Sequence, residues 1–233
     1  YPLRRQRQMC IRDRLILRCI CLYPVNLKVE GIPCLVIGGG HIALRKIRKL
    51  LKEKALITVL APEACSEIGD MAVNKDIQWE KRTYTANDWN GYQIVITAAG
   101  RRDVADDIRK ESIAHGFLYN AADFPELGNY TIPASFRTGG IQIAVSTDGR
   151  SPAMSRYVKK WLENKIPSDF PRWLDRVEAI RLEVRAGIAD SKVREEFWHA
   201  AFNDQIMDLV LQGNLDEAEE CVRHAIGSFG VKS

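Results

Sequence analysis

The stretch Cys34-Leu-Val-Ile-Gly38-Gly-Gly40-His-Ile-Ala43 sets three glycines between an apolar run and a helical pattern. That order of residue types suits chemistry on phosphates. Gly38 can make a tight turn, Gly40 lets backbone N–H groups approach a pyrophosphate, and Ala43 fills a third small position where a helix packs on a strand. The helix then offers the anion its unpaired N–H groups and the positive end of its dipole. Glycine-rich turns are common, and a merely tight turn has the same letters. The strand before and the helix after favour the nucleotide site. His41, directly after Gly40, either touches the pyrophosphate or caps the helix, and capping is favoured.

The elements that must position such a turn are readable in order. A first strand covers about 33–37. Ala43, Ile47, Leu50 and Leu51 recur at helical spacing, which predicts a helix over 41–53 with Arg45, Lys46, Arg48 and Lys49 mostly on its wet side. Ile57 to Leu60 is a second strand. Pro62 can start a helix that continues from Ala64 to Val73. Ile77 to Glu80, Gln93 to Thr97 and Phe117 to Tyr119 are further strands, with a helix from Arg102 to His115 stopped by Gly116. Alternating strands and helices predict an α/β fold, a Rossmann-type parallel sheet with helices on both faces. Ligands bind at the carboxyl ends of such strands. The loops Gly38–His41, Leu60–Pro62, Ala98–Arg101 and Asn120–Asp123 fall there. From them the cofactor-binding residues are Gly38, Gly39, Gly40, His41, Ile42, Ala61, Pro62, Thr97, Ala98 and Ala99.

After residue 130 the rhythm changes. Tyr130 to Phe136 and Ile141 to Ser146 read as a hairpin around Arg137-Thr-Gly-Gly140. Ser151-Pro152 starts a helix, with serine as cap and proline at the first helical position, and the helix runs to about Lys165. The remainder is helical. Trp173, Val177, Ile180 and Val184 share a face, as do Val193, Phe197 and Ala201. A further helix ends at Gly213, and a last one is capped by Asn214 and closed by Gly227.

Composition sets the limits. At 46% hydrophobic and 27% charged residues the chain of 233 is ordinary globular protein. No apolar run approaches the ~20 residues that span a bilayer, so a membrane role is not expected. The net charge of +4 is local: residues 1–22 carry six arginines against one aspartate, which leaves the rest slightly negative and gives no basis for nucleic-acid binding. That Arg-rich leader could pass for a transit peptide. It is read instead as non-native, adapter-derived translation, with Leu22 at the position expected for an initiator Met. Cys34, Cys65 and Cys221 are far apart, which argues against disulfides and structural zinc and for a reducing cytoplasm. His115, His199 and His224 are dispersed without metal-ligand spacing.

Several stretches together resemble one family. Tyr23-Pro-Val-Asn-Leu before the glycine turn, Asn120-Ala-Ala-Asp123, Ile132-Pro-Ala, and Ser146-Thr-Asp-Gly-Arg-Ser-Pro152 are similar to the precorrin-2 dehydrogenase / sirohydrochlorin ferrochelatase family, the N-terminal module of sirohaem synthase. Arg194-Glu-Glu-Phe-Trp198 and Gly213-Asn-Leu-Asp-Glu-Ala218 resemble the tails of stand-alone members, and no methyltransferase domain follows. With the leader at 1–22 set aside, the resemblance implies an NAD-binding Rossmann domain at 23–123, a small dimerisation segment at 124–166 and a C-terminal helical domain at 167–233. It also implies a cytoplasmic homodimer that oxidises precorrin-2, an acidic tetrapyrrole, to sirohydrochlorin with NAD. Some members then insert Fe²⁺, which enters as substrate and needs no protein metal site.

Asp123 matches the family's general base. On the residues alone it is as readily a turn aspartate before Pro125, although a carboxylate at that sheet edge is well placed to take a proton. Asn120 matches a polar position that bonds cofactor, substrate or the loop itself. Ser151 matches a serine at the substrate cleft, phosphorylated in some relatives. Its role as a helix cap is at least as strong on the residues. Arg137, Arg150 and Arg156 are candidates for substrate carboxylates, since guanidinium forks suit them. Two departures stand out. Leu60-Ala-Pro62 occupies the point where an acid often holds the adenine ribose, with Glu63 just beyond, so NAD over NADP rests on the resemblance. Thr97-Ala-Ala-Gly-Arg101 stands where relatives commonly have Thr-Asp. Two other readings share the glycine turn: an NAD-sensing regulatory module, and a chelatase with little dehydrogenase activity.

Overall fold

A computed structural model describes residues 22–228, in two compact units that meet in sequence between Ile132 and Pro133. The expectation for the leader lies outside the described residues, save Leu22. The first unit is a five-stranded parallel sheet in the order β3-β2-β1-β4-β5. Its strands are β1 (Pro33–Ile37), β2 (Leu56–Leu60), β3 (Gln78–Glu80), β4 (Ile94–Thr97) and β5 (Leu118–Ala121). β1 pairs with both β2 and β4, so the strand order reverses at the end of β1. The helices are α1 (His41–Lys52), α2 (Ser66–Val73) and α3 (Arg102–His115).

The central strands are buried on both sides, as crossover helices require. Cys34 and Val36 pack with Ala43, Leu44 and Ile47 of α1, while Leu35 and Ile37 face Val104, Ala105 and Ile108 of α3. Burial pushes the Cys34 thiol up to about 11. Gly116 closes α3 in the left-handed conformation at φ 76°, where an L side chain is strained.

Several boundaries differ from the sequence expectation. α2 begins at Ser66, not at Pro62, because the Cys65 N–H is drawn to the Gly39 carbonyl at 2.9 Å and keeps this stretch out of the helix. β5 takes in Asn120 and Ala121. The unit continues past residue 123 because the following chain folds back on β5. Asn129 accepts from the Tyr119 N–H at 2.8 Å and donates to the Phe117 carbonyl at 2.9 Å. That return also delays the next strand from 130 to 134.

The second unit opens with the hairpin β6 (Ala134–Thr138) and β7 (Ile141–Val145), with Arg137 inside the strand and only Gly139-Gly140 in the turn. Then come α4 (Pro152–Glu163), α5 (Phe170–Gly187), α6 (Ser191–Ala201), α7 (Asp204–Gln212) and α8 (Leu215–Ser228). α4 packs on the hairpin. Trp173, Ile180 and Val184 of α5 meet Phe197, Val210, Ala218 and Val222 in a single helical core. Gly213 ends α7 at φ 84°, but Gly227 lies within α8 and does not close it. Among the described residues no helix is long and apolar enough to cross a membrane.

Candidate cofactor and active site

At the carboxyl ends of β1, β2 and β4, where the strand order reverses, lies a cleft of about 380 Å³. Open sheets bind ligands at this point. Its floor is the glycine turn, and the three glycines do different work. Gly38 sits at φ 125° with its N–H on the Leu60 carbonyl at 2.9 Å, and a Cβ there would lie 2.3 Å from the Ala98 carbonyl oxygen. At Gly39 a Cβ would lie 2.1 Å from the Glu63 carbonyl oxygen. These two glycines are required by the fold. Gly40 is different: it is the N-cap of α1 in extended conformation, and a Cβ there would meet nothing within 4 Å. The protein leaves that space open. The α1 terminus has no side-chain cap and no acid in its first turn, so its N–H groups suit an anion. These features fit a dinucleotide pyrophosphate.

Of the sequence-predicted cofactor residues, Gly38, Gly39, Gly40, Ala61, Pro62, Ala98 and Ala99 line this cleft together. His41 and Ile42 do not. They occupy the exposed first turn of α1, directly after Gly40. Thr97 also turns away. Its hydroxyl lies 3.0 Å from the Tyr119 hydroxyl, which itself donates to the Ala105 carbonyl at 3.2 Å, so Thr97 donates within the core. Burial raises the Tyr119 phenol to about 12. Four further polar residues line the cleft, Glu63, Thr83, Tyr84 and Arg101. The sequence reading placed Arg101 in a loop at this edge and Glu63 just beyond another, without assigning either to the cofactor, and it missed Thr83 and Tyr84. The Tyr84 hydroxyl donates to Asp107 at 3.1 Å, and Arg101 is engaged by Asp103 through Nε at 3.2 Å and a second, shorter contact.

Asp123 follows β5 and is half-buried. Its Oδ2 accepts from the Gly100 N–H at 2.7 Å. Gly100 belongs to the loop after β4, at φ 65°, between Ala99 and Arg101 of the cleft. One carboxylate oxygen is thus fixed by main chain, and the other is available. Asn120 is buried and committed at both ends of its amide. Its Nδ2 donates to the Tyr130 carbonyl at 3.0 Å, and its Oδ1 accepts from Lys46 Nζ at 3.1 Å. Of its expected partners it bonds the loop. Lys46 is accordingly not on the wet side of α1 but half-buried.

Three family models tile the chain. One described as putative NAD(P)-binding matches residues 25–134, one described as sirohaem biosynthesis protein central matches 138–165, and one described as sirohaem synthase dimerisation region matches 171–226. The siroheme synthase of Methylococcus capsulatus is 32% identical over 202 residues, 87% of this chain and 43% of that protein. That of Thioalkalivibrio sulfidiphilus is 31% identical over 88% of this chain and 42% of its own length. The solved structure of SirC, a precorrin-2 dehydrogenase, superposes with a TM-score of 0.66 at 26% identity, covering 85% of this chain and all of that one. The chain is thus similar in sequence to siroheme synthases and in fold to a precorrin-2 dehydrogenase. It spans less than half the length of the siroheme synthases it matches.

The dimerisation description attaches to 171–226, the helices α5 to α8, whereas the sequence reading places that role at 124–166. The remaining residues singled out from the family resemblance sit in the second unit. Ser151 caps α4, its hydroxyl accepting from the Met154 N–H at 3.2 Å. Its own N–H and carbonyl are both bonded by the Thr147 hydroxyl, at 3.0 and 3.1 Å. Arg137 reaches Gln142 at 2.6 Å across the hairpin. Arg150 donates to the Thr147 carbonyl at 3.3 Å and lies 3.8 Å from Asp148. Arg156 is exposed on α4. All three arginines are exposed, and Arg137 and Arg150 each bond a residue close in sequence. Among the described residues no group of His, Cys, Asp and Glu is arranged to hold a metal ion.

Proposed function

We propose that the chain is an NAD-dependent precorrin-2 dehydrogenase, producing sirohydrochlorin in sirohaem synthesis. The observation that carries this reading is the Asp123–Gly100 hydrogen bond of 2.7 Å, which ties a carboxylate to the loop lining the cofactor cleft. When bound, the nicotinamide accepts a hydride from the macrocycle. The chain supplies the rest. The α1 N-terminus and the open space at Gly40 receive the pyrophosphate, and Gly38 and Gly39 hold the turn rigid. Oδ1 of Asp123 takes the proton that leaves the macrocycle while Oδ2 stays on the Gly100 N–H. Asn120, fastened between Lys46 and Tyr130, fixes the segment that presents Asp123.

NAD rather than NADP follows from two side chains in the cleft. Glu63 stands just after the second strand, where an acid can hold a ribose hydroxyl and repel a 2′-phosphate. Arg101, the guanidinium in the lining, is already engaged by Asp103. Fe²⁺ insertion belongs to the same reading as a second step, since its protons need an acceptor and Asp123 is placed for it. We assign a homodimer, supported by the dimerisation description for 171–226 and by Met154, Tyr157 and Trp161, large apolar side chains exposed on α4.

The deciding experiment is anaerobic precorrin-2 turnover followed optically, with and without NAD⁺ and Fe²⁺. NAD⁺-dependent appearance of sirohydrochlorin is expected. A protein that binds NAD⁺ but neither converts precorrin-2 nor binds sirohydrochlorin would be a regulatory module instead. Metal insertion without any dehydrogenation would make it a chelatase.

A further inference from the structure

Lys46 is a cation of α1 whose charge the fold leaves uncompensated. Its side chain is half-buried, and its ammonium donates to Asn120 Oδ1 at 3.1 Å. An ammonium carries three donors, and a single amide oxygen neutralises none of its charge. Among the described residues no carboxylate pairs with it, and the charges that act on it are Arg45 and Lys49, both positive. Burial first, and those two cations second, pull its pKa down to about 8. Proteins rarely bury a charge without a partner, because desolvation goes uncompensated. A methionine or leucine would fill the same place at lower cost, so the ammonium implies an anion that arrives from outside.

The position narrows what that anion is. Lys46 does not line the cofactor cleft, so it is not a pyrophosphate ligand. It is joined instead to Asn120 at the carboxyl end of β5, three residues before Asp123. We infer that Lys46 is a substrate-binding residue whose ammonium, oriented by Asn120, receives a carboxylate of the acidic tetrapyrrole beside Asp123. The inference rests on the dehydrogenase reading for the identity of the ligand. With Arg45 and Lys49 on the same helix, the local field attracts polyanions to this edge of the sheet.

The test is equilibrium binding of sirohydrochlorin and, separately, of NAD⁺ to the intact chain and to Lys46→Met, Lys46→Gln and Lys46→Arg. Lys46→Gln keeps a donor for Asn120 but removes the charge, so it separates anion recognition from simple support of Asn120. Both neutral variants are expected to weaken sirohydrochlorin about tenfold or more and to flatten its salt dependence. Lys46→Arg should retain most of the affinity, and NAD⁺ binding should stay within twofold in all three. Native affinity for sirohydrochlorin in Lys46→Gln overturns the inference, as does a loss confined to NAD⁺. If Lys46→Met does not fold, the Gln and Arg pair decides alone. Failure of the unsubstituted chain to bind sirohydrochlorin overturns the dehydrogenase reading and this inference with it. Binding by the unsubstituted chain with no effect of charge removal overturns this inference only.

Discussion

The parallel sheet has a cleft at each end, and the two are nearly equal in size. The one at the carboxyl ends measures about 380 Å³ and the one at the amino ends about 400 Å³. Their walls are unlike. The carboxyl-end cleft is floored by glycines, by the loops after β2 and β4, and by a helix terminus with unpaired N–H groups. The amino-end cleft is walled by large side chains, Trp89, Tyr92, His115 and Phe117. There the Trp89 ring stacks on Phe117 at 5.2 Å and tilts over His115 at 4.4 Å, with its indole Nε1 buried and unpartnered among the described residues. Volume therefore does not distinguish a site from a packing gap. Strand polarity does, because chain leaving the carboxyl ends enters helices by their N-termini.

This contrast can be broken most forcefully at Asp123. Asp123→Asn should lower precorrin-2 turnover about 10²- to 10⁴-fold, the usual worth of a general base, with NAD⁺ affinity within twofold; a fully active variant would remove Asp123 from the mechanism. At the other cleft, Trp89→Ala should cost about 2–4 kcal/mol of unfolding free energy by loss of aromatic packing. Its NAD⁺ affinity should not change, and calorimetry together with dinucleotide titration reads both. Gly40→Ala should leave the melting temperature unchanged within a degree or two and weaken NAD⁺ by about 10- to 100-fold, since the methyl meets only the ligand. Gly39→Ala is its control. With backbone 2.1 Å away, it should destabilise the unit by about 1–3 kcal/mol. Smallest is Glu63→Gln, which should narrow the preference for NAD⁺ over NADP⁺ by about tenfold, or 1.4 kcal/mol, in paired titrations.

Features written in local residue types were legible from the sequence. The glycine turn, the stops at Gly116 and Gly213 and the Ser151 cap need only neighbours a few positions away. Features made by distant partners were not. Pro62 has the chemistry of a helix start, yet the Cys65–Gly39 bond holds the chain extended to that point. Tyr130 has the composition of a strand start, yet Asn129 pulls it back onto β5. Lys46 sits among charges that read as a wet face, and only Asn120, 74 residues on, explains why it is buried. Thr83 and Tyr84 reach the cofactor cleft from a loop with no regular structure, so no periodicity could have pointed to them.

The bond that holds Asp123 is donated by main chain, and this bears on how such an enzyme drifts over time. Every residue but proline carries that N–H. The side chain at position 100 is thus free to vary, within what φ 65° tolerates. A link of this kind can be inherited while the letters around it change. That suits a frame on which the solved precorrin-2 dehydrogenase structure superposes at only 26% identity.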